Sequence, residues 1–363
     1  MIAGHAPRSA EMFVSAVTPD PDPVPNAQGG AGSPPPEVAI RVPREWRHAA
    51  ARRLVAGATA SATSAPVGSG RGARDAAAER FLATAPDLGI DVSDMFAVVR
   101  DAGRDIGPVC LLIPGSGRTG MVFTSPIAGI PSQIADLAAA IDAAARAAKD
   151  STRDEIVMLQ AIADPSDTPT HAALDRAGFE RLATLAYLRL PLGRSSVPPP
   201  PALPAGIALE PVGDVNPRSP GRRRLARTLE ETYADTLDCP GLRGLRTPDD
   251  IIESHLSVGR GAPAMWSLVV EGARSLGCVL LNHCPAQSCV ELVYIGLAPA
   301  LRGRGLGAPL LAHAIRRAAQ TSARELTCAV DTRNTPAERM YQRAGMTRLA
   351  ERVAFVRAIR APN

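Results

Sequence analysis

The segment Arg302-Gly303-Arg304-Gly305-Leu306-Gly307 holds the residue types best suited to gripping an anion. An apolar, strand-like run from Val290 to Leu297 leads into it, and a helix-like run from Ala308 to Ala319 leaves it. A strand that turns through glycines into a helix N-terminus presents several backbone N–H groups in one direction. Glycine has no Cβ, so such a backbone can approach a ligand closely. Arg302 and Arg304 add positive charge. The chemistry this suits is a cradle for a pyrophosphate. Gly303-x-Gly305-x-x-Ala308 also has the form of the dinucleotide fingerprint. In context that fit is poor. Ala298-Pro299-Ala300-Leu301-Arg302 separates the strand from the first glycine, and the nearest acidic candidate, Asp331, comes late.

Leu297-Ala298-Pro299 followed by Arg302-Gly303-Arg304-Gly305-Leu306-Gly307 resembles the acetyl-CoA signature of the GCN5-related N-acetyltransferases, whose core reads Gln/Arg-x-x-Gly-x-Gly/Ala. Further on, Asn334-Thr335-Pro336-Ala337-Glu338-Arg339-Met340-Tyr341-Gln342-Arg343-Ala344-Gly345-Met346 resembles the second signature of that family. There an Asn precedes a helix that carries a Tyr, followed by Gly and an apolar residue. The two occur in the family's order, and the resemblance covers about residues 205–360.

What the resemblance implies is transfer of an acetyl group from acetyl-CoA to an amine by direct attack. Backbone N–H groups of Gly303, Gly305, Leu306 and Gly307 would hold the pyrophosphate, helped by Arg302 or Arg304. The strand before the turn would splay from its neighbour. Backbone groups around Tyr294, Ile295 and Leu297 would then pair with the pantetheine arm, and one N–H there would stabilise the oxyanion. The attacking amine must be neutral, so a carboxylate is needed as proton acceptor. Glu291 is the candidate, with a solvent-facing strand residue as its plain alternative. Tyr341 would protonate the departing thiolate, its alternative being a packing aromatic. Asn334 would cap the helix and contact the cofactor, with Pro336 well placed in the first turn. The acceptor would lie under Tyr233–His255. Asp238 there is a partner for an amine or a turn former, His255 a second base or a surface histidine. Cys239 has no histidine beside it in sequence to make it a nucleophile. A non-catalytic acyl-CoA-binding regulatory module is the alternative function.

Composition narrows the field. The chain has 363 residues, enough for two domains, and a formal net charge of +4, too small to argue for nucleic acid. Aromatic residues make up only 3%, so no base-stacking platform is evident. The 6 cysteines contain no Cys-x-x-Cys pair. His283, Cys284 and Cys289 form the one conceivable metal set, but they flank what reads as a turn, Pro285-Ala286-Gln287-Ser288. No apolar run reaches membrane-spanning length, so the expectation is a cytoplasmic protein, monomer or homodimer, whose partners are acetyl-CoA and an amine acceptor.

The elements that must position these residues fall into two similar series. Residues 1–36, rich in Pro, Gly, Ala and Asp, read as a disordered leader, or as the product of an over-called start codon. Residues 195–204 contain Pro198-Pro199-Pro200-Pro201 and read as a stiff linker. Between them residues 37–194, and after them residues 205–363, show nearly the same order of strands and helices. Asp167 through Ala183 aligns without gaps on Asn334 through Ala350, an offset of 167 residues (334 minus 167). The shared Thr-Pro and Ala-Gly punctuation argues for duplication. Asn334 corresponds to Asp167 and Tyr341 to Leu174, and no Arg-x-Gly-x-Gly precedes the first-copy helix, where Ile127-Ala128-Gly129-Ile130-Pro131-Ser132 stands. The expected fold is α/β: two tandem domains of the GNAT type, each a mixed, mostly antiparallel sheet flanked by helices, the first a degenerate copy without chemistry.

Overall fold

The computed structural model describes residues 38–56, 71–103, 105–151, 155–193, 197, 199–200, 202–259 and 262–360. The expected leader lies outside them, as does part of the expected linker. The chain divides into two compact units. One holds the described residues through Arg181 together with the chain from Ala354 on; the other is Leu182–Val353.

The N-terminal unit runs β1 (Ala39–Arg41), α1 (Arg47–Val55), α2 (Arg71–Thr84), β2 (Met95–Arg100), β3 (Asp105–Gly115), β4 (Thr119–Thr124), α3 (Pro131–Asp150), β5 (Met158–Ala163) and α4 (Thr168–Arg176). Its strands lie in the order β1-β2-β3-β4-β5, antiparallel except for the parallel pair β4–β5. Helices α1 and α2 pack Ala50, Leu54, Ala78 and Phe81 against Met95, Val109 and Leu111. Alanine at these contacts lets helices approach the sheet closely, which is how so few aromatics suffice for a core.

The C-terminal unit takes up β6 (Glu180–Pro191) from Leu182 onward, then β7 (Ile207–Pro211), α5 (Pro220–Tyr233), α6 (Pro248–Leu256), β8 (Ser267–Glu271), β9 (Arg274–Cys284), β10 (Cys289–Leu297), α7 (Gly307–Ala319), β11 (Glu325–Asp331), α8 (Thr335–Arg343) and β12 (Thr347–Ala358) as far as Val353. Its strand order is β6-β11-β10-β9-β8-β7, with β10–β11 the parallel pair. Strand residues alternate between the two faces. Val290 and Leu292 face a core made with Leu310, Leu311 and Ala314 of α7. The opposite face packs Leu225 and Leu229 of α5 and Ile252 of α6 on Trp266, Leu268 and Leu280. Glu291, between Val290 and Leu292, therefore belongs to the α5–α6 face.

The repeat read from sequence reappears as structure. Helix α4 and helix α8 differ by the same 167-residue offset at both ends, as do the twelve-residue strands β6 and β12. Each helix is capped alike: Asp167 accepts from the Thr170 N–H at 3.2 Å, and Asn334 from the Ala337 N–H at 3.3 Å. Pro169 and Pro336 sit in the first turns, where a missing N–H costs nothing.

On the α5–α6 face, a buried polar relay fixes the sheet to its cover. The Trp266 indole N–H donates to Asn282 Oδ1 at 2.9 Å, and Asn282 Nδ2 donates to the His255 carbonyl at 2.7 Å. Asn282 has 0% exposure. Asn282→Leu strands a buried indole N–H and a carbonyl together, so unfolding free energy in urea is expected to drop by about 2–4 kcal/mol.

Candidate active site

Strand β10 is bonded to β11 for only three of its nine residues. The parallel register is Cys289↔Glu325, Val290↔Leu326 and Glu291↔Thr327, and there it stops. On its other edge β10 stays paired with β9 to the end, Leu297↔Gly277, but with a bulge: Leu292 pairs Leu281 and Tyr294 pairs Leu280, leaving Val293 as an extra residue. A bulge bends its strand and increases the local twist. The bend falls immediately after the last β11 pair, so β10 leaves β11 there, while β11 continues against β6 as far as Asp331↔Leu185. Along Tyr294–Leu297 every second residue turns its N–H and C=O away from β9, toward the gap.

Tyr294, Ile295 and Leu297 thus sit on the splayed stretch expected of them. The Tyr294 side chain, however, points into the α5–α6 face. It lies over Gly296, where a Cβ would stand 2.5 Å from its hydroxyl, and it donates to Thr232 Oγ1 at 2.8 Å. Only its backbone is left for a ligand in the gap.

Gly303 and Gly305 have φ of 73° and 74°, in the left-handed region that L side chains avoid. Open space surrounds both, so backbone conformation, not crowding, is what demands glycine. Leu301 and Leu306, 0% and 1% exposed, anchor the turn at both ends, each burial contributing about 1.5–3 kcal/mol. Among the described residues, no acceptor receives the N–H groups of Gly303, Arg304, Gly305, Leu306, Gly307 or Ala308. Leu306 is the N-cap of α7 and caps nothing with its side chain, and the first turn of the helix carries no acid. An anion is the natural partner for that end.

The two arginines of the turn differ in use. Arg302 donates through Nε to the Leu297 carbonyl (2.9 Å), through Nη1 to Asp235 (3.0 Å) and through Nη2 to Thr232 (2.9 Å). Its fork ties the turn to the end of α5, which makes it part of the scaffold. Among the described residues Arg304 meets only Glu271, at 2.9 Å, with both side chains 40% exposed. Such a surface pair is weak and exchanges readily for another anion.

Tyr341, on α8, is 2% exposed, with its hydroxyl near Cys328. Burial holds the phenol well above its ordinary range, reinforced by the Asp238 charge. Glu291 is half-buried beside Thr327, and its charge adds to the burial that raises the Cys328 thiol. Glu291 and Tyr341 therefore both border Cys328 where β10 parts from β11. Asn334 caps α8, as its position suggests.

The segment over this opening is held by a carboxylate that sequence reasoning considered only as a ribose ligand. Asp331, 0% exposed, accepts from the Cys239 N–H at 3.2 Å and from Arg333 Nη2 at 2.7 Å, while its own N–H donates to Asp238 Oδ1 at 3.0 Å. Cys239 takes a left-handed φ of 49° to make this fit. Asp238 is thereby drawn toward Tyr233, Tyr294 and Tyr341, all of which feel its charge. His255 is buried at 2%, stacked edge-on against Trp266, and not a surface histidine.

In the N-terminal unit the corresponding parts are closed. Four of the six β4 residues pair with β5, and Gln133 Oε1 accepts from the Ala128 N–H at 2.8 Å in the turn before α3. Leu174, with no proton to give, occupies the place of Tyr341. Among the described residues, no group of three or more His, Cys, Asp or Glu side chains is placed to hold a metal, and no helix is long and apolar enough to cross a membrane.

A family model described as the acetyltransferase (GNAT) family matches residues 229–346. No curated protein matches the chain. Among solved structures, a GCN5-related N-acetyltransferase from Sphaerobacter thermophilus is 19% identical with a TM-score of 0.53, covering 91% of this chain and 98% of that one. A tandem GNAT protein from the clavulanic acid biosynthesis pathway, solved without AcCoA, is 16% identical with a TM-score of 0.45, over 89% and 98%. The first of these likenesses shows the fold.

Two outcomes follow from this geometry. Arg302→Ala removes three bonds that hold the turn and is expected to lower stability by about 2 kcal/mol in chemical denaturation. Arg302→Lys should recover little of it, because an ammonium cannot span three carbonyls. Burial also raises the Tyr233, Tyr294 and Tyr341 phenols and the Cys278 and Cys328 thiols. The unfolded chain gives up these protons from about pH 9 for thiols and pH 10 for phenols, and the folded chain keeps them. Stability should therefore be level below pH 9 and fall as pH rises beyond it, measured by thermal melting across pH 7–11.

Proposed function

We propose that this chain, a member of the acetyltransferase (GNAT) family through residues 229–346, is an N-acetyltransferase that uses acetyl-CoA and acts by direct attack of an amine. The observation that carries the reading is the gap. A strand with one open edge ends in a turn of six N–H groups without acceptors. An open strand edge suits the amides of a pantetheine arm, which add to it like a further strand. The amides of Gly303, Gly305, Leu306 and Gly307 suit a pyrophosphate, with Arg304 as the exchangeable cation. Asn334 borders this region through its cap on α8. The residues present thus fit acetyl-CoA, which would supply the activated acyl group.

In this reading Glu291 takes the proton of the attacking amine, directly or through water. The amine nitrogen bonds to the thioester carbonyl carbon, the carbon–sulfur bond breaks, and Tyr341 donates its proton to the sulfur. A backbone N–H on the open edge near Tyr294–Leu297 meets the charge that develops on the carbonyl oxygen. Glu291 lies on the α5–α6 face and Tyr341 in the core of the α7 face, so acid and base approach the gap from opposite sides of the sheet. The burial that raises the Tyr341 phenol keeps it protonated through the working pH range, the state a proton donor needs. The two copies correspond to residues 37–194 and 205–363 joined by 195–204, and only the second retains the open strand and the arginine–glycine turn.

Acetyl-CoA should bind saturably to the purified protein and release free thiol when an accepted amine is present. Tyr341→Phe should leave acetyl-CoA affinity unchanged and lower kcat by about 10²-fold or more. A protein that fails to bind acetyl-CoA would contradict the reading, and binding without thiol release across a broad amine panel would identify a non-catalytic module.

A further inference from the structure

Several arginines of the C-terminal unit that are not fully exposed are answered by protein carboxylates or carbonyls. Arg222, 7% exposed, has Asp249 and Glu253 at 2.6 and 2.7 Å. Arg333 has Asp331, Arg304 has Glu271, and Arg302 has three carbonyls. Arg246 is different. It stands just before α6, half-buried, and its hydrogen bond is from Nη1 to Ser254 Oγ at 2.9 Å. Ser254 is neutral and its hydroxyl donates to the Asp250 carbonyl. The Asp250 carboxylate, whose charge reaches Arg246, accepts from the Thr247 N–H and hydroxyl at 2.9 and 2.8 Å, closing the capping box of α6. Among the described residues no carboxylate lies within ion-pairing distance of Arg246.

A guanidinium taken out of water without a countercharge is destabilising unless something pairs with it. Burial accordingly pulls Arg246 below the ordinary arginine range, with Tyr233 and Asp250 opposing. Its surroundings point the same way as the candidate site. The Arg246 charge reaches the Tyr233 hydroxyl, and so does that of Asp238. The Tyr233 ring stacks 5.4 Å from the Tyr294 ring on β10, at the start of the splayed stretch. Asp238 in turn reaches Tyr341. Arg246, Tyr233, Asp238 and Tyr341 thus each lie within electrostatic range of the next, and the Tyr233–Tyr294 stack sets this series beside the splayed stretch. The series has a cation at its outer end and a carboxylate in its middle.

We propose that Arg246 is a specificity-determining residue that pairs with a carboxylate on the acceptor, so that the amine acetylated belongs to an amino acid or a similarly small amino-carboxylate. The inference rests on the N-acetyltransferase reading. The Nε and Nη2 donors would take the carboxylate in a fork, a geometry lysine cannot reproduce. Tyr233 would offer its hydroxyl beside the fork, and Asp238 would face the ammonium before its proton is lost.

The test compares thiol release from acetyl-CoA with the twenty amino acids and with their carboxamides, which keep the amine and remove the negative charge. The wild-type protein should prefer free acids by about tenfold to a hundredfold in kcat/KM, and Arg246→Gln should reduce that preference to about threefold or less while carboxamide turnover persists. Arg246→Met provides the structural control. A guanidinium reserved for a ligand is replaced without loss of Tm, whereas an arginine needed by the fold lowers it. Equal rates for acids and amides, an unchanged preference in Arg246→Gln, or a lowered Tm in Arg246→Met would each overturn the proposal. If no acceptor releases thiol, the enzymatic reading fails separately, and calorimetry with N-acetyl amino acids on the CoA-loaded protein decides about Arg246. Binding to wild type that is lost in Arg246→Gln sustains it, and absence of binding overturns it.

Discussion

The early end of the β10–β11 ladder is the constraint around which the C-terminal unit is organised. A parallel pair bonded over its whole length would leave no backbone groups for a ligand. Here the pairing stops at Glu291↔Thr327, and the extra residue Val293 bends β10 away from its neighbour while the bond to β9 persists. The bend costs ladder hydrogen bonds, which makes it stable only if both strands are held elsewhere. Strand β9 holds one, and β6 holds the other along seven residues from Glu325↔Pro191 to Asp331↔Leu185. Each strand beside the gap is thus secured from its far side.

Charge is distributed according to the same need. Arg302 is consumed in fixing the turn, and its three bonds to carbonyls leave its backbone neighbours, Gly303 to Ala308, free to face outward. Asp331 is buried to pin the loop at Cys239 and to turn Asp238 inward. Neither residue has to touch a substrate to be indispensable to the site. The groups suited to chemistry, Glu291 and Tyr341, are placed by strand parity and by a helix cap, both cheap local devices.

The duplicated halves show how little must change to lose such a site. Helix caps, first-turn prolines, helix lengths and final strands persist at a constant offset. What differs is local. The parallel pair in the first copy extends over most of β4, its turn is capped by Gln133, and Leu174 fills the position of Tyr341. A packing framework tolerates such substitutions because burial depends on shape and polarity, whereas a ligand site depends on a few uncapped amides.

Much of this was legible in the amino-acid sequence. The glycine–arginine turn, the helix that follows it and the cap at Asn334 are local patterns, carried by residues within a few positions of one another, and the repeat shows as a second copy of such a pattern. The α/β class follows from the alternation of such patterns. Other features depend on residues far apart in the chain, which no periodicity reports. Arg302 meets carbonyls about seventy positions away, Asp331 meets Cys239, and strand β6 joins the sheet of the second unit. Arg246 carries no motif at all; its lack of a countercharge exists only once α6, Tyr233 and β10 are brought together. Short-range sequence therefore determined which backbone segments can bind and which helices form. Tertiary structure alone decided which charges are spent on the fold and which remain for a ligand, because that depends on what each side chain meets after the chain has closed.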